Sequence, residues 1–87
     1  MRARKLVGLN LKRLRVERGI SQERLAFDAS VDRSYLGGVE RGEENPTVDV
    51  LERLASVLHV QLADLFSHEN VKLVDGLPKG RKRGGVS

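Results

Sequence analysis

The sequence predicts an all-α domain of five short helices, and three observations carry that reading. Apolar residues recur at helical spacing, most plainly at Val50, Leu51, Leu54, Ala55 and Leu58. Such runs are bracketed by punctuation: Ser21, Asp32 and Thr47 are N-cap residue types ahead of a run, and Gly19 and Gly42 stand after one. The 87 residues are also one small domain's worth of chain, where a core is thin but several helices fold together.

Each element follows in order. Leu6, Leu9, Leu14 and Val16 mark an amphipathic first helix from about Lys5 to Arg18, stopped by Gly19, with Ile20 sealing the corner. Ser21 caps a second helix, Gln22 to Ala29, whose Leu25, Ala26 and Ala29 face a core while Glu23, Arg24 and Asp28 face water. Asp32 caps a third, Arg33 to Arg41, which buries Leu36 and Val39. After the polar loop from Gly42 to Pro46, Thr47 caps a fourth helix, Val48 to Leu58, and Gln61 to Phe66 reads as a short fifth. Residues 1–67 therefore form the folded domain. Residues 68–87 are expected to be a flexible basic tail, because Pro78 to Gly85 holds nothing apolar to bury.

The second and third helices, joined by a turn of three or four residues, have the layout of a helix-turn-helix. On the third helix Arg33, Ser34, Gly37 and Gly38 lie opposite Leu36 and Val39, and small or hydrogen-bonding side chains on such a face suit a DNA major groove. The two adjacent glycines cost helix stability at about 1 kcal/mol each against alanine, so a close approach to something is expected there.

Charge is distributed unevenly. Residues 1–18 carry seven Lys or Arg against Glu17, residues 19–66 carry four against nine Asp or Glu, and residues 67–87 carry five against Glu69 and Asp75, for a net +4. Phosphate attraction must then come mainly from the first helix and the tail. With no cysteine there is no disulfide or thiolate metal site, and no apolar run reaches the roughly 18 residues of a membrane helix. Asn10 and Lys12 interrupt the N-terminal apolar stretch, so a secretory signal is not expected, and a soluble, cytoplasmic protein fits.

The segments LRVERGISQERLA, RSYLGGVERG, NPT, LERLASVL and LADLF, in this order and spacing, resemble the lambda-repressor-like helix-turn-helix family, also called the XRE family. Its members include phage repressors, Cro proteins and the controller proteins of restriction-modification systems, and the resemblance covers about Leu9 to Phe66. It implies a sequence-specific regulator of transcription, such as a repressor, that binds double-stranded DNA. Arg33, Ser34, Gly37 and Gly38 match base-contacting positions, Arg33 being the sole long donor, with a phosphate or solvent contact as its alternative. Gln22 matches a residue that touches phosphate and braces the recognition helix; the alternative is a solvated helix start. Tyr35, Arg41, Asn45 and Thr47 match phosphate-contacting positions, with a half-buried tyrosine bracing the helix as the alternative for Tyr35, and Arg15 and Glu40 match a structural pair in which Arg15 also reaches phosphate.

Five residues depart from the family pattern. Ser30 and His59 stand where glycine is usual, so each is expected to hold a left-handed backbone. Glu43 and Glu44 occupy a loop that is often basic. Phe27 points away from the stripe of its own helix and needs cover from another element or a partner.

Family members pair on half-sites about one DNA turn apart, so a homodimer is expected. Its expected surface is His59, Val60, Gln61, Leu62 and Leu65, with Val71, Leu73, Val74 and Leu77 adding a strand or arm. Glu23, Asp28 and Glu43 are candidate contacts to RNA polymerase or simply solvated. No enzyme, metal or cofactor is expected: His59 and His68 lack further ligands at metal spacing, and RSYLGGVERG lacks the ending of a phosphate loop. The rival reading is an antitoxin or adaptor that keeps the fold and binds a protein, favoured by the acidic middle and by Phe27.

Overall fold

The structure is a computed structural model and describes residues 2–69. It consists of α1 (Arg2–Glu17), α2 (Gln22–Ala29), α3 (Arg33–Glu40), α4 (Val48–Leu58) and a 3-10 helix (Leu62–Phe66). The described residues form no strand, so the all-α class holds, with the fifth helix realised as a single tight turn. α1 packs on α3 and the 3-10 helix, and α2 packs on α3 and α4. Their inward faces share one core built on Leu11, Leu25, Leu36, Leu54, Leu58 and Leu65. The tail from residue 70 on, with the expected arm at Val71, Leu73, Val74 and Leu77, lies outside the described residues.

Local chemistry sets the helix starts. The side chains of Ser21, Asp32 and Thr47 accept from the backbone N–H groups of Arg24, Tyr35 and Val50 at 3.0, 3.0 and 3.1 Å, satisfying donors that the first turn leaves unpaired. The ends share one device as well. All four α-helices are followed by a residue at positive φ, namely Gly19, Ser30, Gly42 and His59. In each case the next N–H reaches back five residues: Ile20 to Arg15, Val31 to Ala26, Glu43 to Gly38 and Val60 to Ala55. Ile20, Val31 and Val60 then turn their side chains onto the core.

The non-glycine pair in that set carries strain, since a left-handed residue with a Cβ costs about 1–2 kcal/mol. His59→Gly is therefore expected to stabilise the fold by about 1 kcal/mol after glycine's own entropy is counted, raising Tm by about 4–8 °C. A Tm that falls on this change would show that the imidazole more than offsets the strain.

Side chains finish the remaining carbonyls. Arg18 Nε donates to Leu58 O at 2.8 Å and Arg53 Nε to Ala29 O at 3.0 Å, placing a cation at the negative ends of α4 and α2. Asn10, fully buried, donates through Nδ2 to Leu65 O and Ser67 O, both at 2.9 Å, and so fastens the 3-10 helix to α1.

α1 corrects the expected stripe. It begins at Arg2 rather than near Lys5, and it buries Val7, Leu11 and Leu14, while Leu6 and Leu9 are half-buried and Val16 is 57% exposed. The cause is Gly8. A Cβ there would lie 2.5 Å from the carbonyl oxygens of both Val39 and Glu40, so the bare backbone of α1 rests on the end of α3 and fixes which face turns inward.

Candidate nucleic-acid interface

α3 is held as a rigid unit by one carboxylate. Glu40, at the end of α3, accepts from Arg15 Nε at 2.8 Å through Oε2, and from Arg15 Nη2 at 3.1 Å and Gln22 Nε2 at 2.9 Å through Oε1. The third Arg15 nitrogen, Nη1, donates to Ile20 O at 2.9 Å. One side chain thus ties α3 to α1 and α2, with the Arg15 and Glu40 side chains only 12% and 3% exposed. A bidentate, nearly dry pair of this kind sets orientation more than it binds ligand. Every nitrogen of Arg15 has a partner inside the domain, so a phosphate would have to share this guanidinium rather than find it open.

The first turn of α3 is open. Arg33 and Ser34 are exposed, and among the described residues the Arg33 guanidinium has no ion pair or hydrogen bond. Arg24, in contrast, is paired with Asp28, and Arg13 and Arg18 with Glu17. Tyr35 is half-buried against the core.

The second turn of α3 differs from the expected bare glycine face. Gly37 and Gly38 are both buried by their own chain. A Cβ on Gly37 would lie 3.3 Å from Arg41 Nη1 and within 4 Å of the Gln22 amide, and one on Gly38 would lie 2.8 Å from Glu44 Cγ. The close approach that two helical glycines call for is made by Gln22, Arg41 and Glu44. Arg41 also pairs with Glu43 at 3.0 Å on an open surface, an ion pair worth about 0–1 kcal/mol and easily exchanged for a phosphate.

The basic start of α1 lies alongside. Lys5 touches the loop at Gly42, where a Cβ would be 3.1 Å from Lys5 Cδ, so positive charge adjoins the end of α3. Asn45 and Thr47 are exposed at the start of α4, with the Thr47 hydroxyl engaged as its cap.

On the other side of the domain, His59 and Gln61 are exposed and Val60 and Leu62 half-buried. Leu65 corrects the expected pairing surface: it has no exposed area, because Asn10 holds its carbonyl and draws the side chain into the core. Phe27 stands 78% exposed on the outer face of α2, uncovered by any element of the described chain. Among the described residues no group of three His, Cys, Asp or Glu is placed to hold a metal ion, and no helix is long and apolar enough to cross a membrane.

Sequence reasoning from the residues passed over Gly8, Asn10, Arg18 and Arg53. A lone glycine inside a helical pattern signals close packing, and that was the one available sign for Gly8. The three polar residues act on carbonyls far along the chain, which no spacing rule displays.

Two short helices joined by a tight left-handed turn, the second presenting an open basic first turn, define a helix-turn-helix domain. The chain belongs to the helix-turn-helix family, whose model matches residues 11–65, and within it to the lambda-repressor-like, XRE-type regulators. It is 45% identical over 67 residues to the uncharacterized HTH-type transcriptional regulator y4dJ of Sinorhizobium fredii, covering 77% of this chain and 87% of that protein. The restriction-modification controller protein C.AhdI from Aeromonas hydrophila superimposes with a TM-score of 0.73 at 41% identity, covering 76% of this chain and all of that one. SinR, a master regulator for biofilm formation solved in complex with DNA, superimposes with a TM-score of 0.67 at 37% identity, over 70% of this chain and 98% of that one. Other relatives are longer, and the chain spans 45% of one of them.

Proposed function

We propose that this protein binds double-stranded DNA sequence-specifically as a homodimer and regulates transcription from the cytoplasm, with α3 in the major groove. The observation that carries the reading is Arg33: an exposed guanidinium, unpaired among the described residues, on the first turn of a helix locked in place by Glu40. In this reading Arg33 donates to O6 and N7 of guanine, and Ser34, with the side chains that cover Gly37 and Gly38 on the next turn, completes the base-facing surface. Gln22, Tyr35, Arg41, Asn45 and Thr47 take phosphates, with Arg15 behind them as a shared donor. His59, Val60, Gln61 and Leu62 form the pairing surface. That SinR has been solved with DNA supports the binding mode, and the likeness to C.AhdI supports a regulatory use.

Arg33→Ala is expected to cost about 1–3 kcal/mol per half-site and to erase preference at one base pair, measured on duplexes varied one position at a time. An equal loss on every duplex would place Arg33 on phosphate.

Phe27 favours a second reading, a protein docked on the outer face of α2 beside Glu23 and Asp28, with RNA polymerase as one such partner. A salt series on random DNA separates the two. A DNA reader loses affinity steeply as salt rises, with a slope of about −0.9 per phosphate contacted, whereas an adaptor shows no such dependence.

A further inference from the structure

Glu44 is the acidic residue that the DNA-reading account leaves unused, and its position is specific. Its side chain lies over Gly38, where an added Cβ would come within 2.8 Å of Cγ and 3.0 Å of Oε2. Only a glycine leaves that room. Gly38 sits one helical turn beyond Ser34 on the outward face, opposite Leu36 and Val39. The carboxylate is half-buried and, among the described residues, makes no hydrogen bond or ion pair, whereas its neighbour Glu43 pairs with Arg41 at 3.0 Å. Partly desolvated, unpaired and held against the base-facing side of α3, it is an acceptor without a donor.

We infer that Glu44 is a specificity-determining residue of this protein, reading an exocyclic amine on a base edge in the major groove. This rests on the proposed insertion of α3 into that groove. An ionised carboxylate only accepts, so it pairs with the N4 amine of cytosine or the N6 amine of adenine and is repelled by guanine O6 and thymine O4. Cytosine, which offers a donor and no neighbouring N7 acceptor on the same edge, is the better match. Arg41, folded over Gly37 on the adjacent side, sets a donor beside this acceptor, so the second turn of α3 presents a charge pattern and not bare backbone. The same carboxylate repels phosphate and so weakens binding to DNA that lacks the matching base.

The test uses the full chain and fluorescent duplexes based on the site that wild-type protein selects from random DNA, each half-site carrying all four base pairs at every position in turn. Wild type is expected to favour cytosine or adenine at a position distinct from the one Arg33 reads, and the four-base series tells the two amines apart. Glu44→Ala should lower that preference by about 5- to 150-fold, equivalent to about 1–3 kcal/mol, while tightening binding to random DNA. Glu44→Gln should move the preference toward adenine, which an amide bonds at N6 and N7 together. Gly38→Ala, which gains helix propensity and keeps every charge, should flatten the same position by displacing the carboxylate. Glu44 variants that tighten binding equally on all duplexes, leaving the selected site intact, would overturn the assignment and reduce Glu44 to a phosphate repellent. A wild-type protein with no preference at any position would overturn the DNA-reading account beneath it as well.

Discussion

Glu40→Ala is expected to destabilise the domain by about 3–5 kcal/mol, the range for removing one partner of a buried ion pair. The substitution strands the Arg15 guanidinium at 12% exposure, with Nε and Nη2 facing a space that held a carboxylate, and leaves the Gln22 amide without its acceptor. Small domains hold about 5–15 kcal/mol in total, so the loss takes a large share of the stability and, at the lower end of that range, nearly all of it. Urea unfolding checks this: the midpoint should fall with the slope unchanged. A loss under about 1 kcal/mol would equate the pair with a surface salt bridge and contradict the description of α3 as locked. Because Glu40 faces inward, the substitution should lower stability more than it alters base preference in whatever protein remains folded.

Gly8→Ala is expected to destabilise although alanine is the better helix former. Intrinsic propensity alone favours the change by about 1 kcal/mol. Against it, the new methyl group meets two backbone carbonyl oxygens at 2.5 Å, and these belong to the last turn of α3, so no side-chain rotation relieves the contact. Overpacking of this kind costs about 1–3 kcal/mol or more, and larger residues should prevent folding. The expected sign is therefore a lower Tm. A Gly8→Ala protein as stable as the parent would mean that α1 and α3 separate without penalty. Where the variant does fold, the shift falls on the helix that carries Arg33, so DNA affinity should drop with stability.

What the sequence disclosed and what it withheld divide along the range of the interactions. The left-handed backbone at Ser30 and His59 was implied by the family resemblance, whereas the bounds of α2 and α4 and the caps at Ser21, Asp32 and Thr47 were legible, because each depends on residues within one turn. The inward face of α1 was not. Leu6, Leu9 and Val16 are as apolar as Val7 and Leu11, and what chooses between them is the fit of Gly8 against α3, more than thirty residues away. The burial of Asn10 follows from a bond to Leu65 across 55 residues, and the Arg15–Glu40 pair spans 25. That pair was reached through family resemblance, not through spacing. On α3, the inward roles of Leu36 and Val39 could be read from periodicity, as could the outward position of Arg33. The cover that Arg41 and Glu44 lay over the two glycines could not, since it depends on how the loop after α3 folds back.

That α3 reads DNA from a two-fold pair of these domains is tested by selecting binding sites for the full chain from a pool of random duplexes. Such a pair enriches a site with two inverted half-sites whose centres lie about 10–10.5 base pairs apart, the spacing that sets two recognition helices on one face of the duplex. A pool that emerges with no enriched sequence, or with a single unpaired half-site, would contradict it.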